Sequence, residues 1–385
     1  RTIYTRELAN RCEHRLFLSA TPHNGHSESF TALLEMIDNR RFSRGALVDE
    51  SALRDVTVRR LKTEITSKNF QPRHIEHLPF TPTPEEEENF ALLTTLLAAS
   101  KKQRGKDAGG DLSAMLLKKR LLSSPVAFSS TLQQFEDAVV PFGVPANALL
   151  FDDDDEALRE AVGSDEEEGD VDHPEFQALQ ARKVTHPLGT ATRAEIDRLI
   201  TWGESYRGRP DSRLAALVNY LNAILRPDNT TWSNERVVVF TEYAATLRWI
   251  VEILTSAGFG SRLAVIEGAT DAESRELVRL RFCHDPSEEP VRILVATDAA
   301  GEGIDLQAHC HRLVNFDVPF NPSRLEQRIG RIDRYGQQHR PEIVYFAPVA
   351  STSIYAADAS FLARIATKVS QVVADVGSAN RVFDV

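Results

Sequence analysis

The sequence predicts an α/β fold built on an open parallel sheet. Between residues 205 and 350, short and nearly continuous apolar runs recur, as expected for strands that are covered on both faces. Segments with helical spacing separate the first three runs, and strands joined in this way form right-handed crossovers in a parallel sheet. The runs are VVVFT (237–241), LAVIE (263–267), ILVAT (293–297), LVNFD (313–317) and IVYFA (343–347).

Two of the connections between these strands carry a helical pattern. Apolar residues between positions 247 and 254 repeat at the spacing of one helix face. Leu277 and Leu280 repeat the same spacing more weakly in the next connection. We therefore predict a helix in each, with helices on both faces of the sheet.

The first 125 residues have a different organisation. LFLSATP (16–22) predicts a short strand that runs into a turn, and an apolar helix face follows it. Residues 45–125 carry helical signals, among them PEEEENFALLTTLL (84–97), whose glutamates suit the positive end of a helix dipole. We predict that residues 1–44 end another sheet and that residues 45–125 form a helical connector.

Residues 126–204 form a predicted insertion that contains an acidic run. Residues 151–172 hold twelve acidic residues and one arginine, so this run alone carries the formal net charge of the whole chain, −11. Such a run repels itself and favours a flexible segment. The rest of the chain is formally neutral, so the net charge does not argue against a nucleic-acid partner. Residues 351–385 are predicted to form a helical tail.

The composition excludes several classes of protein. No apolar run approaches the ~20 residues that a membrane-spanning helix needs. Cys12, Cys283 and Cys310 lie far apart without a CxxC pair, which argues against a disulfide framework and a zinc site. Consecutive side chains of an extended chain alternate, so the triplet 309–311, His-Cys-His, does not suit one metal ion either. We predict a cytoplasmic protein without a metal site or a membrane partner, and the absence of a methionine at Arg1 indicates part of a longer chain.

The segment NPSRLEQRIGRIDRYGQ (321–337) carries the first candidate site. If a helix runs through it, an apolar stripe and a polar stripe lie roughly 200° apart around the axis. The polar stripe holds Gln327, Arg331 and Arg334, and paired guanidinium groups suit a polyphosphate. The apolar stripe consists of Leu325, Ile329 and Ile332. From these residues alone, a polyphosphate site and a salt-bridged surface helix both remain open.

The second candidate site lies in the segment LVATDAAGEGIDLQ (294–307). In an open parallel sheet, ligands bind at the carboxyl ends of the strands, where Thr297 lies. Gly301 and Gly303 permit a close approach of the backbone to phosphate, and Asp305 offers an acceptor for ribose hydroxyls. An ordinary turn is the alternative interpretation.

Four segments occur in the order of motifs III, IV, V and VI of superfamily-two helicases and translocases. They are SATP (19–22), VVVFTEY (237–243), ATDAAGEGID (296–305) and QRIGRIDR (327–334). The longer segment DVPFNPSRLEQRIGRIDRYGQ (317–337) is similar to the bacterial branch of the Swi/Snf-type ATPases. The resemblance covers residues 1–125 and 205–350. It implies that residues 205–350 are a RecA-like second helicase lobe, preceded by the end of a first lobe.

The resemblance also implies roles for individual residues. Arg331 and Arg334 match the motif VI arginines that act as arginine fingers on the γ-phosphate of ATP, and Gln327 begins that motif. Thr297 and the turn Gly301-Glu302-Gly303 match motif V, which contacts the nucleic-acid backbone and senses the nucleotide. Asp305 matches a position near the ribose.

Two further motifs complete the assignment. Thr241 matches the end of motif IV, another backbone contact. Ser19, Ala20 and Thr21 match motif III, which couples ATP hydrolysis to the grip on nucleic acid.

The sequence departs from the family pattern in one respect. It contains no GxxxxGK[ST] loop and no DEAD/DEAH-like acidic motif, so ATP and Mg²⁺ are expected to be held mainly by a first lobe. This chain alone is predicted to be inactive.

The resemblance predicts the C-terminal part of an ATP-dependent translocase that binds double-stranded DNA without sequence preference, in a bacterial nucleoid. RNA polymerase and phage-defence components are candidate partners. A non-hydrolysing adaptor that binds nucleic acid or polymerase and a single-strand or RNA helicase lobe are the alternatives.

Overall fold

The computed structural model divides the chain into two compact units. The first consists of residues 1–70, 320–326 and 368–385, and the second of residues 71–319 and 327–367. The described residues are 2–18, 27–58, 71–104, 110–139, 191–298, 304–319, 322–349 and 352–376.

The first unit contains three helices near the start of the chain. They are α1 (Thr2–Arg11), α2 (Ser27–Ile37) and α3 (Glu50–Val56). The predicted helix after SATP is confirmed as α2, which buries Leu34. Residues 16–18 of the predicted strand are described without strand pairing, and residues 19–22 lie outside the described residues.

The second unit is built on a six-stranded, fully parallel sheet with the order β1-β6-β5-β2-β4-β3. The strands are β1 (His74–Phe80), β2 (Val237–Thr241), β3 (Leu263–Ile266), β4 (Ile293–Thr297), β5 (Arg312–Asn315) and β6 (Glu342–Pro348). All five predicted strands and the open parallel sheet are confirmed, with shifts of a residue or two at their ends.

Strand β1 was not predicted, because it lies in the segment expected to be a helical connector. It pairs in parallel with β6 at the edge of the sheet, and about half of its residues are exposed. An edge strand of this kind, HIEHLPF, lacks the continuous apolar run that marks a buried strand. The sheet therefore includes a strand that lies more than 150 residues before β2.

Nine further α-helices lie within the part of the chain that the structure describes. They are α4 (Pro84–Arg104), α5 (Gly110–Ser123), α6 (Pro125–Val139), α7 (Arg193–Glu204), α8 (Ser212–Leu225), α9 (Ala244–Leu254), α10 (Ala272–Cys283), α11 (Pro322–Ile329) and α12 (Ile354–Val376). Local sequence fixes their starts: Asp211 caps α8 through Leu214 N at 2.7 Å, and Thr192 with Glu195 forms a capping box on α7. No helix within the described ranges combines the length and apolar character that a membrane crossing requires.

The two helices predicted between strands are confirmed, but only α9 buries its predicted face. Leu247, Ile250 and Leu254 of α9 are buried. Leu277 and Leu280 of α10 remain 60% and 52% exposed, so the predicted apolar face of that helix is wrong. Helix α10 packs against β3, an edge strand, and Phe282 is the side chain that it buries.

Candidate functional site

The candidate site lies at the carboxyl ends of β4, β2 and β5, together with the turn that follows α11. Helix α11 ends at Ile329, so Arg331 and Arg334 lie beyond it, in the turn. The predicted helical stripe through both arginines is therefore wrong. The three apolar residues of the segment are buried as predicted: Leu325, Ile329 and Ile332.

Backbone hydrogen bonds fix the start of this turn. Arg331 N donates to the carbonyl of Arg328 at 3.0 Å, and Asp333 N donates to that of Ile329 at 2.9 Å. Leu306 N, in the segment after β4, donates to the carbonyl of Arg331 at 3.0 Å. The two candidate segments predicted from the sequence are thus joined directly.

The structure brings two predicted site residues, Arg334 and Asp305, into contact. Arg334 Nη1 and Asp305 Oδ1 form a salt bridge, and their side chains are 51% and 46% exposed. Solvent screens such a pair, so it stabilises the fold little. The pair offers a guanidinium and a carboxylate at one accessible place.

Arg328 belongs to the site in a different way, and the sequence interpretation did not include it. Its side chain is only 2% exposed and binds both carboxylate oxygens of Asp298, at 2.9 Å from Nη2 to Oδ2. Nη1 donates to Asn315 Oδ1 at 3.1 Å and to the carbonyl of Asp317 at 2.8 Å, and Nη2 contacts Asp317 Oδ1 at 3.3 Å. Burial alone would lower the pKa of Arg328, but the two carboxylates outweigh it and the pKa is raised.

Asp317 connects this arginine to strand β2. Its Oδ2 accepts from Thr241 Oγ1 at 2.6 Å and from Ser123 Oγ at 2.7 Å, and its Oδ1 accepts from Glu242 N at 2.9 Å. Thr241 is fully buried. A direct contact from Thr241 to nucleic acid, which stays a prediction, would require its hydrogen bond to Asp317 to break.

The same contacts extend to the end of α5. Lys119 Nζ lies 2.5 Å from Glu242 Oε1, with both side chains buried. Ser123 and Ser124 each place a hydroxyl 2.8 Å from Thr246 Oγ1. We call these side chains the buried polar network: Lys119, Ser123, Ser124, Thr241, Glu242, Thr246, Asp298, Asn315, Asp317 and Arg328. An acidic residue lies within two positions after the end of each of the strands β2, β4 and β5. This pattern is the sequence signal that could have indicated the network.

The structure describes two further predicted site residues and leaves the others outside the described ranges. Thr297 is buried at the end of β4, and within the described structure its hydroxyl has no hydrogen-bond partner. Gln327 is partly buried on α11. The remaining predicted residues lie outside the described residues: Ser19, Ala20, Thr21, Gly301, Glu302 and Gly303.

The described residues contain no group of three His, Cys, Asp or Glu side chains that could hold a metal ion. Within the triplet 309–311, Cys310 is buried and points its thiol at the carbonyls of Arg236 and Arg312. Burial raises the pKa of Cys310 to about 12. This thiol is therefore protonated at neutral pH.

Comparison with known proteins gives a family match for the central part of the second unit. The model of the helicase conserved C-terminal domain matches residues 214–336. An ATP-dependent helicase of Bacillus subtilis, YqhH, is 37% identical over 114 residues, which are 30% of this chain and 19% of the relative. The RNA polymerase-associated protein RapA of Pectobacterium atrosepticum is 32% identical over 165 residues, 43% of this chain and 15% of the relative. The matched segments thus span less than a fifth of either relative.

Two solved structures of ATPase and helicase domains are similar to this chain. The C-terminal part of the Fun30 ATPase domain has a TM-score of 0.45 at 14% identity and covers 80% of this chain and 98% of that one. The Hef helicase domain of Pyrococcus furiosus has a TM-score of 0.41 at 13% identity and covers 93% of this chain and 69% of that one.

Proposed function

We propose that this chain supplies the second lobe of a Swi/Snf-type ATPase that translocates along double-stranded DNA. Residues 214–336 match the helicase conserved C-terminal domain family, and relatives of the chain include a bacterial ATP-dependent helicase. The observation that carries this proposal is the turn after α11. It carries Arg331 and the exposed Arg334, while Arg328 is fixed in the interior.

The accessible pair Arg334 and Asp305 fits a nucleotide. A guanidinium binds phosphate oxygens through charge-assisted hydrogen bonds, and a carboxylate accepts from ribose hydroxyls. Releasing an exposed ion pair costs at most about 1 kcal/mol, so ATP can replace it. Mg²⁺, which would neutralise charge on the phosphates when bound, and the base for the attacking water are assigned to a Walker-bearing first lobe.

In this mechanism Arg331 and Arg334 act on the transition state. Negative charge spreads over the γ-phosphate oxygens as water attacks in line, and fixed guanidinium groups stabilise that charge more than the ground state. The buried network around Arg328 keeps the segment in place before ATP arrives. The arginines therefore need little reorganisation at the moment of reaction.

The nucleic-acid contacts are proposed at the adjacent strand ends. Among the described residues, the buried hydroxyl of Thr297 has no hydrogen-bond partner, and in the sequence Thr297 shortly precedes the glycines of motif V. Contacts of this type reach phosphates and carry no direct sequence information. RNA polymerase is the protein partner to test first, because the name of one relative associates it with that enzyme; phage-defence components stay a second prediction.

Arg331→Ala tests the arginine-finger role in a protein that carries this chain and a Walker-bearing lobe. We expect ATP turnover to fall by about 10³-fold or more, as for other arginine fingers. Arg207→Ala is the matched control, since Arg207 is an exposed arginine in the turn after α7 that pairs with Glu204, the last residue of that helix. Unchanged turnover in Arg331→Ala would contradict the proposal.

The polymer that stimulates hydrolysis distinguishes the proposed function from its alternatives. Duplex DNA, single-stranded DNA and RNA are compared at equal nucleotide concentration in the same ATPase assay. Stimulation by duplex DNA supports the translocase. Stimulation by single strands or RNA alone indicates a helicase lobe of another branch, and nucleic-acid binding without any hydrolysis indicates an adaptor.

A further inference from the structure

The geometry points to Arg73 as a positioning residue for the two arginines that follow α11. Through a buried ion pair it holds Asp333, the residue that lies between Arg331 and Arg334 on the chain. This inference rests on the proposed function, because it assigns Arg73 to the site where those arginines meet the triphosphate.

The turn needs an anchor beyond the helix that precedes it. Helix α11 ends at Ile329, and beyond Asp333 the turn is held by Gln337, whose N donates to the carbonyl of Arg334 at 3.1 Å and whose Nε2 donates to that of Ile332 at 3.0 Å. The side chain of Arg334 contacts Asp305 in an exposed ion pair that ATP would replace. A buried side-chain contact within the turn is a further anchor that ATP would leave in place.

The ion pair of Arg73 and Asp333 has the properties of such an anchor. Arg73 Nε lies 2.5 Å from Asp333 Oδ2, and the side chains are only 9% and 6% exposed. Solvent does not screen a pair at this depth, and a charge-assisted hydrogen bond allows little variation in geometry. The cost of removing both charges from water offsets much of their attraction, so such a pair specifies position more than it stabilises.

Arg73 is itself held on the sheet. It directly precedes β1, and His74 N donates to the carbonyl of Pro341 at 2.7 Å, just before β6. Arg340 Nε donates to the carbonyl of Pro72 at 3.1 Å, so the chain is held on both sides of Arg73. The pair therefore transmits the position of the β1–β6 edge to the turn that carries Arg331 and Arg334.

The test uses Arg73→Ala and Arg73→Lys in the protein that carries both lobes, with kcat and KM for ATP measured at saturating duplex DNA. We expect Arg73→Ala to lower kcat by about 10- to 100-fold, the effect of a displacement of about 1 Å at a catalytic group. KM should stay nearly constant, because positioning acts on the transition state. Arg73→Lys should recover part of the loss, since lysine keeps the charge but not the fork geometry.

Arg312→Ala is the matched control, because Arg312 pairs with Glu235 and with Glu342, the latter at 2.7 Å, and neither carboxylate belongs to the turn that carries Arg331 and Arg334. It should leave kcat unchanged even where it lowers the melting temperature. If Arg73→Ala does not fold, Arg73→Gln takes its place, since glutamine keeps a hydrogen-bond donor and removes the charge, and the same loss of kcat is expected.

Suppose that Arg331→Ala is inactive in the assay. A folded Arg73→Ala or Arg73→Gln protein with normal kcat, or with a change confined to KM, then overturns the positioning role. Normal turnover in Arg331→Ala overturns the proposed function itself, and the positioning role with it. The two failures are thus separated by the Arg331→Ala arm.

Discussion

Arg328→Ala should lower the free energy of unfolding of this chain by about 3–5 kcal/mol, the range for breaking a buried ion pair by removing one partner. The guanidinium is nearly inaccessible to solvent and is shared by Asp298 and Asp317. After truncation, two buried carboxylates face each other without their common positive charge.

The hydrogen bonds lost with the guanidinium support the upper part of this range. Arg328 donates to Asp298 through Nε and Nη2, to Asn315 and to the carbonyl of Asp317. Bonds to charged groups contribute about 1.5–3 kcal/mol each, but the contributions are not additive and the arginine no longer loses its hydration. Arg328→Lys keeps the charge and should cost clearly less than Arg328→Ala.

Urea unfolding, followed by far-UV circular dichroism and tryptophan fluorescence, measures the loss. Trp249 is buried against Phe316, the neighbour of Asp317, with ring centroids 6.2 Å apart, so fluorescence reports on this region. Adding Asp298→Asn to Arg328→Ala should return part of the stability, because one uncompensated carboxylate is removed. A loss below about 1 kcal/mol, similar to that of an exposed arginine such as Arg207, would refute the reasoning.

Two further predictions concern packing and nucleic acid. Gly203→Ala should lower the free energy of unfolding by about 1–3 kcal/mol, because a Cβ there would lie 2.6 Å from the carbonyl oxygen of Pro125 and from Ser129 Cβ. Gly208→Ala is the control in the same urea assay, because a Cβ at that position would meet nothing within 4 Å. The affinity for duplex DNA should fall with salt at a log–log slope of about −0.9 for each phosphate contact, measured by fluorescence anisotropy; a flat salt dependence would contradict phosphate binding.

The sheet could be predicted where burial leaves a continuous apolar run, and less well at its edges. Strands β2 and β4 are buried along their whole length, so VVVFT and ILVAT carry a clear signal. Strand β1 consists of exposed and half-buried residues apart from the buried Phe80, and its pairing with β6 depends on a partner more than 260 residues away. The wrong prediction for the exposed leucines of α10 also arises at an edge of the sheet. Helical spacing does not tell whether a helix lies over the centre of a sheet or over its edge.

Only the parts of the site that lie within continuous sequence motifs could be predicted. The motif order placed Arg331, Arg334 and Asp305 in one region, and the structure joins Arg334 to Asp305. It could not show that Asp298 and Asp317, which follow different strands, meet on Arg328. That meeting depends on the strand order, which sets β4 and β5 on either side of β2.

The arginines of one short segment therefore fall into two classes that the sequence does not separate. A buried guanidinium shared by two carboxylates cannot turn to a phosphate without leaving those carboxylates uncompensated, at a cost of about 3–5 kcal/mol. Arg334 can leave its exposed partner Asp305 for about 1 kcal/mol or less. This difference assigns Arg328 to holding the segment and leaves Arg334 available to a nucleotide, although both lie within the same eight residues.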